Sequence, residues 1–156
     1  MSETRQLGAG AFRIGEDLRL YPVARTVDGI GVDVPPVKRF TNSRADVAAI
    51  GAALRAILAS PTDEPAPRYW NERKELGKQF LNSAGVRSWR EIQLHAVSCW
   101  IEIGDKQIFM TPLRNGGTRG DQKGFQPFGA ALVVVRLDEP DVALGAALIA
   151  ALDASA

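Results

Sequence analysis

Apolar and polar residues alternate early in the chain. Phe12-Arg-Ile14 and Asp17-Leu-Arg-Leu-Tyr-Pro-Val23 follow a period of two, which predicts half-buried strands. Thr26 to Val34 extends the pattern around Asp28-Gly29, a hairpin turn signal, and Pro35-Pro36 ends it as an edge. Residues 1 to 10 are small and polar and read as a frayed tail. The period then changes. Val47, Ile50, Leu54, Ile57 and Leu58 recur at helical spacing after Thr41-Asn-Ser-Arg-Ala-Asp46, where Asn42 or Ser43 is placed to cap a helix. The proline-rich acidic stretch 60–67 breaks the chain as a loop. Tyr69 to Leu81 predicts a second helix, with Leu76 and Phe80 on its dry side.

The second half is richer in strands. Ile92 to Ile103 is an apolar run that reads as a buried strand, and Lys106 to Thr111 returns from it across Gly104-Asp105 as a hairpin. Pro112 to Phe128 is the longest irregular segment and is rich in glycine. Ala130 to Leu137, apolar on both faces, predicts a central strand. Asp138-Glu-Pro-Asp141 supplies a cap, a first-turn proline and acids for a closing helix carrying Leu144, Leu148 and Leu152. The order β-β-β-α-α-β-β-β-α predicts an α+β fold, an antiparallel or mixed sheet of about five to six strands with about three helices.

A chain of 156 residues that is 46% hydrophobic suits one domain over 1–156, able to bury roughly two thirds of its unfolded surface. One cysteine makes no internal disulfide, the first ten residues lack the apolar core of a signal peptide, and no apolar run approaches the roughly 20 residues that span a bilayer. These features predict a cytoplasmic protein with no membrane contact. With 19 basic against 18 acidic side chains, no global field draws the chain onto nucleic acid. The local distribution is less even: Lys106, Arg114, Arg119 and Lys123 make the glycine-rich region basic, whereas Asp138, Glu139, Asp141 and Asp153 make the tail acidic.

Few catalytic devices survive inspection. His95 and Cys99, each the single residue of its kind, would lie roughly 13 Å apart along the predicted strand, too far to share a proton. No second histidine or cysteine completes a zinc site, so no metal or cofactor is expected. Lys123 is followed by Gly124 rather than the Ser or Thr of a phosphate loop, and no serine stands in a Gly-X-Ser-X-Gly elbow. The acid pairs Glu16-Asp17, Asp63-Glu64 and Asp138-Glu139 fall on exposed turns, where nothing splits their pKa values into an acid and a base. Trp70 and Trp89 lie among polar residues as half-exposed interface anchors, while Trp100 in the apolar run reads as core. Three readings stay open: a binding protein without chemistry, a nucleic-acid or nucleotide-binding module using Arg114, Arg119 and Lys123, and an enzyme working through carboxylates.

Ser88-Trp-Arg-Glu-Ile92, Cys99-Trp-Ile-Glu-Ile103, Ile108-Phe-Met-Thr-Pro-Leu113 and the loop closing on Gly124-Phe125 together resemble the immunity proteins of bacterial contact-dependent growth inhibition (CDI) systems. The resemblance implies a small, catalytically silent cytoplasmic protein that binds, one to one, the C-terminal toxin domain made by the same locus, often a nuclease. It supplies no site residues, because immunity proteins share a role more than a surface. For a basic nuclease partner, complementarity favours Asp63, Glu64, Asp138, Glu139 and Asp141, with Trp70 as an anchor. The net charge of +1 is modest for such an inhibitor, and Arg114, Arg119 and Lys123 would suit acidic groups on the toxin.

Overall fold

The computed structural model describes residues 5–25, 31–59, 70–117, 125–127 and 131–155, without the side chains of residues 70–73 and 126. Strand β1 (Gln6–Ile14) and strand β2 (Asp17–Arg25) form the first hairpin. Ile14 pairs with Asp17, leaving Gly15 and Glu16 as a two-residue turn, and Gly15 adopts the left-handed φ of 60° that such a turn demands. The chain is thus already in a strand at Gln6, where the sequence suggested a tail through residue 10.

Two short strands, β3 (Gly31–Asp33) and β4 (Lys38–Phe40), pair with the end and the start of β2. The Asp28-Gly29 turn lies outside the described residues. Helices α1 (Val47–Ala59), α2 (Trp70–Ala84) and α3 (Trp89–His95) follow. Then come β5 (Val97–Ile103), β6 (Gln107–Asn115), β7 (Phe125–Pro127), β8 (Val133–Arg136) and the closing helix α4 (Asp141–Ala154). The fold is α+β, and every described strand pairing is antiparallel. The eight strands and four helices described exceed the expectation by β4, α3 and β7, each too short to show a period.

The two hairpins meet where β1 pairs with β5 at the centre of the sheet. On one face Ala9, Ala11, Leu18, Leu20, Cys99, Ile101, Ile108 and Met110 pack against Ile50 and Leu54 of α1 and Leu144 and Leu148 of α4. On the other, Phe12, Tyr21 and Val23 pack against Phe80 and Ala84 of α2 and Ile92 of α3. Helices therefore cover the first face, but cover the second mainly over the β1–β2 hairpin. Trp100, on that second face of β5, stays 40% exposed. The expectation of a core tryptophan is corrected: the second face of β5 is buried at Ser98 but open at Trp100.

Three further expectations are corrected. Helix α1 starts at Val47, its first bond running from the Ile50 amide to the Asp46 carbonyl; Asn42 and Ser43 belong to a separate preceding turn. Strand β8 pairs with β6 on the side opposite β5 and with no other described strand, so it lies at an edge, with Val134 exposed. Pro140 is the N-cap residue of α4 and no side chain caps that end; Arg55 holds the junction, donating to the carbonyls of Leu137 (2.7 Å) and Glu139 and to Asp141 (2.9 Å).

Candidate functional site

Ser88 opens α3 by accepting a hydrogen bond from the Glu91 amide (3.2 Å), while the Glu91 carboxylate accepts one from the Arg87 amide (3.1 Å). This reciprocal capping turns the start of the expected strand into helix. His95 consequently ends α3, exposed, and shares no strand with Cys99. Cys99 is fully buried, and burial pushes its thiol up to about 12, so it stays a neutral apolar group.

The short helix also projects Trp89 outward. Its indole stacks on Phe80 (centroids 5.2 Å apart), Phe80 meets Tyr21 edge-on (4.9 Å), and Tyr21 contacts Phe12 (6.0 Å). This aromatic chain runs from the sheet to the surface. Across the sheet, Gly10 stands in register with Tyr21 on one side and Trp100 on the other. The Tyr21 ring lies over Gly10, and a cleft opens beside it toward Trp100. It measures about 240 Å³ and is bordered by Tyr21, Phe80, Trp89, Trp100 and Phe125, with Asp33, Gln93 and Ser98 as its polar lining. Asp33 and Trp89 also border a shallower groove of about 630 Å³ that continues over Lys74 and Lys78 of α2.

Burial dominates the electrostatics here. It raises the Asp33 carboxyl to about 6 and the Tyr21 hydroxyl well above its ordinary value, with the Asp33 charge adding to the latter. Among the described residues no group of three or more His, Cys, Asp or Glu gathers as a metal site, and no described helix is long and apolar enough to cross a membrane.

Of the candidate contacts singled out from sequence, Trp89 lines this cleft, half-exposed as expected, and the other described ones fall elsewhere. Asp138, Glu139 and Asp141 do come together, at the β8–α4 junction, but Asp138 pairs with Arg136 (2.7 Å) and Asp141 with Arg55 (2.9 Å). Arg114 lies exposed on β6, in register with Gln126 of β7. Trp70 is the first residue of α2, and its side chain is outside the description. Asp63, Glu64, Arg119 and Lys123 lie outside the described residues. Gly10, Tyr21 and Asp33 were missed; the available signals were a glycine inside an alternating strand and an acid between Val32 and Val34.

An α+β sheet with one face sealed by helices and the other holding an aromatic cleft defines a binding scaffold. The chain belongs to the CDI immunity protein family, whose model matches residues 31–155. No curated protein matches the sequence. Among solved structures, a protein of unknown function from Neisseria meningitidis is similar over 100% of this chain and 98% of its own, with a TM-score of 0.73 and 16% identity. A chain of a CdiA-CT/CdiI toxin and immunity complex from Yersinia pseudotuberculosis is similar over 99% of this chain and 100% of its own, with a TM-score of 0.73 and 13% identity. At these identities the likeness is one of fold.

Proposed function

We propose that this immunity protein acts in the cytoplasm by binding the C-terminal toxin domain of its own CDI locus in a one-to-one complex, without turnover of its own, and that the toxin is a nuclease. The family match over residues 31–155 carries the reading. The similarity in fold to a chain of a toxin and immunity complex supports it. So does the exposed tryptophan pair Trp89 and Trp100, since half-exposed indoles beside a cleft are the kind of anchor that protein interfaces use. Asp63, Glu64, Trp70, Arg114, Arg119, Lys123, Asp138, Glu139 and Asp141 remain proposed contacts with the toxin.

The test is co-expression with the toxin domain encoded beside this gene, followed by calorimetry of the purified pair. A one-to-one complex of nanomolar or tighter affinity, together with rescue of cells and loss of nucleic-acid cleavage by the toxin, is expected. Absence of both complex and rescue would overturn the reading. Binding to nucleic acid by this chain alone, with about one log-unit of salt dependence per phosphate contact, would replace it.

A further inference from the structure

Asp33 lines the aromatic cleft without a partner among the described residues. It stands opposite Val23 in the β2–β3 register, on the sheet face that carries Tyr21, and is the single charged residue lining the cleft among the described residues. Among the described residues its carboxylate makes no hydrogen bond or ion pair there, and Lys74 and Lys78, which line the outer groove beside it, do not pair with it. A half-buried carboxylate without a counter-charge among the described residues gains from a donor or cation that reaches it.

Shape narrows what can arrive. At about 240 Å³ the cleft is smaller than the roughly 300–1,000 Å³ of small-molecule sites, and suits one long side chain. Aromatic rings beside a single carboxylate favour a cation with an apolar stem: rings attract guanidinium and ammonium groups, and the carboxylate provides charge-assisted hydrogen bonds. We propose that the cleft receives one arginine or lysine side chain of the toxin domain, with the Asp33 carboxylate as its counter-ion and Trp89 and Trp100 flanking its stem. This assignment rests on the toxin-binding reading above and gives it a site on the open half of the second sheet face, away from the acids of the β8–α4 junction.

The experiment is titration calorimetry of the toxin domain into the wild-type chain and three variants, with melting temperatures recorded for each. Asp33→Asn is expected to bind at least tenfold more weakly while melting higher than wild type, and Trp100→Ala to bind more weakly as well. Glu75→Gln, which removes an exposed charge from α2, is expected to bind within twofold of wild type. Asp33→Ser repeats the test should the amide misfit. Wild-type affinity in both Asp33 variants, or an equal loss in Glu75→Gln, overturns the cation site and leaves the immunity reading standing. No binding by the wild-type chain overturns both.

Discussion

The ring of Tyr21 lies over Gly10, its cross-strand partner, so closely that a Cβ at position 10 would stand 2.6 Å from the ring. Backbone and aromatic ring thus form one layer, and the cleft opens between that layer and Trp100. Gly10→Ala forces the ring toward Phe80 or into the cleft. Overpacking of this kind costs about 1–3 kcal/mol, so the urea midpoint of the variant is expected to fall and its toxin affinity to drop with it. An unchanged midpoint would show that the ring moves freely and does not shape the cleft.

Asp33 makes stability depend on pH in an unusual direction for a carboxylate. Its folded value of about 6 lies above the ordinary 3.8, so between these values the folded chain holds more protons than the unfolded one, and stability is lost as pH rises. Asp153 works the other way: partial burial would raise it, but hydrogen bonds and charge from Arg13 (2.8 Å) and Arg44 (3.1 Å) lower it overall, so its contribution is lost at acid pH. Comparing Asp33→Asn with wild type cancels the contribution of Asp153. The variant is expected to gain on the order of 1–3 kcal/mol above pH 6 and nothing below pH 3.8. A gain independent of pH would assign the effect to packing instead of charge.

The first hairpin and helices α1 and α4 were legible because their apolar residues recur at the spacing of a strand or a helix, and the second hairpin because an apolar run meets the Gly104-Asp105 turn. Helix α3 was not, since seven residues barely make two turns; the Ser88-to-Glu91 capping pair was its one signal. The placement of β8 and the exposure of Trp100 depend on which strand takes the edge and how far α2 and α3 reach across the sheet, and no local pattern encodes either. The cleft was hidden for the same reason. Asp33 is ordinary in sequence, and its carboxyl is raised by a burial that only the assembled fold produces.

Helices α1 and α4 touch through glycine. A Cβ at Gly51 would overlap the Asp141 carbonyl, and one at Gly145 the Val47 carbonyl, both of them backbone groups that cannot rotate away. Gly51→Ala and Gly145→Ala are each expected to lose about 3 kcal/mol or more despite the better helix propensity of alanine. Gly77 in α2 provides the contrast, because its Cβ would meet only the Trp89 ring at 3.6 Å, an ordinary contact. Gly77→Ala is expected to be neutral or to gain up to about 1 kcal/mol. Equal losses at all three positions in chemical denaturation would contradict this close crossing.

The acids of the β8–α4 junction separate by what they hold. Asp138 and Arg136 are both 68% exposed, and such a pair contributes about 0–1 kcal/mol, so Asp138→Asn is expected to leave the melting temperature nearly unchanged. Asp141 is less exposed and belongs to a network: Arg55, bound to it at 2.9 Å, also donates to the Leu137 and Glu139 carbonyls and so fixes the turn into α4. Asp141→Asn is expected to cost about 1 kcal/mol. Arg55→Ala, which leaves two carbonyls without their donor, should cost about 2 kcal/mol or more. Losses in the order Arg55→Ala, Asp141→Asn, Asp138→Asn would identify this junction chiefly as a structural clamp. A strong fall in toxin affinity on Asp138→Asn, at unchanged stability, would instead place the toxin there.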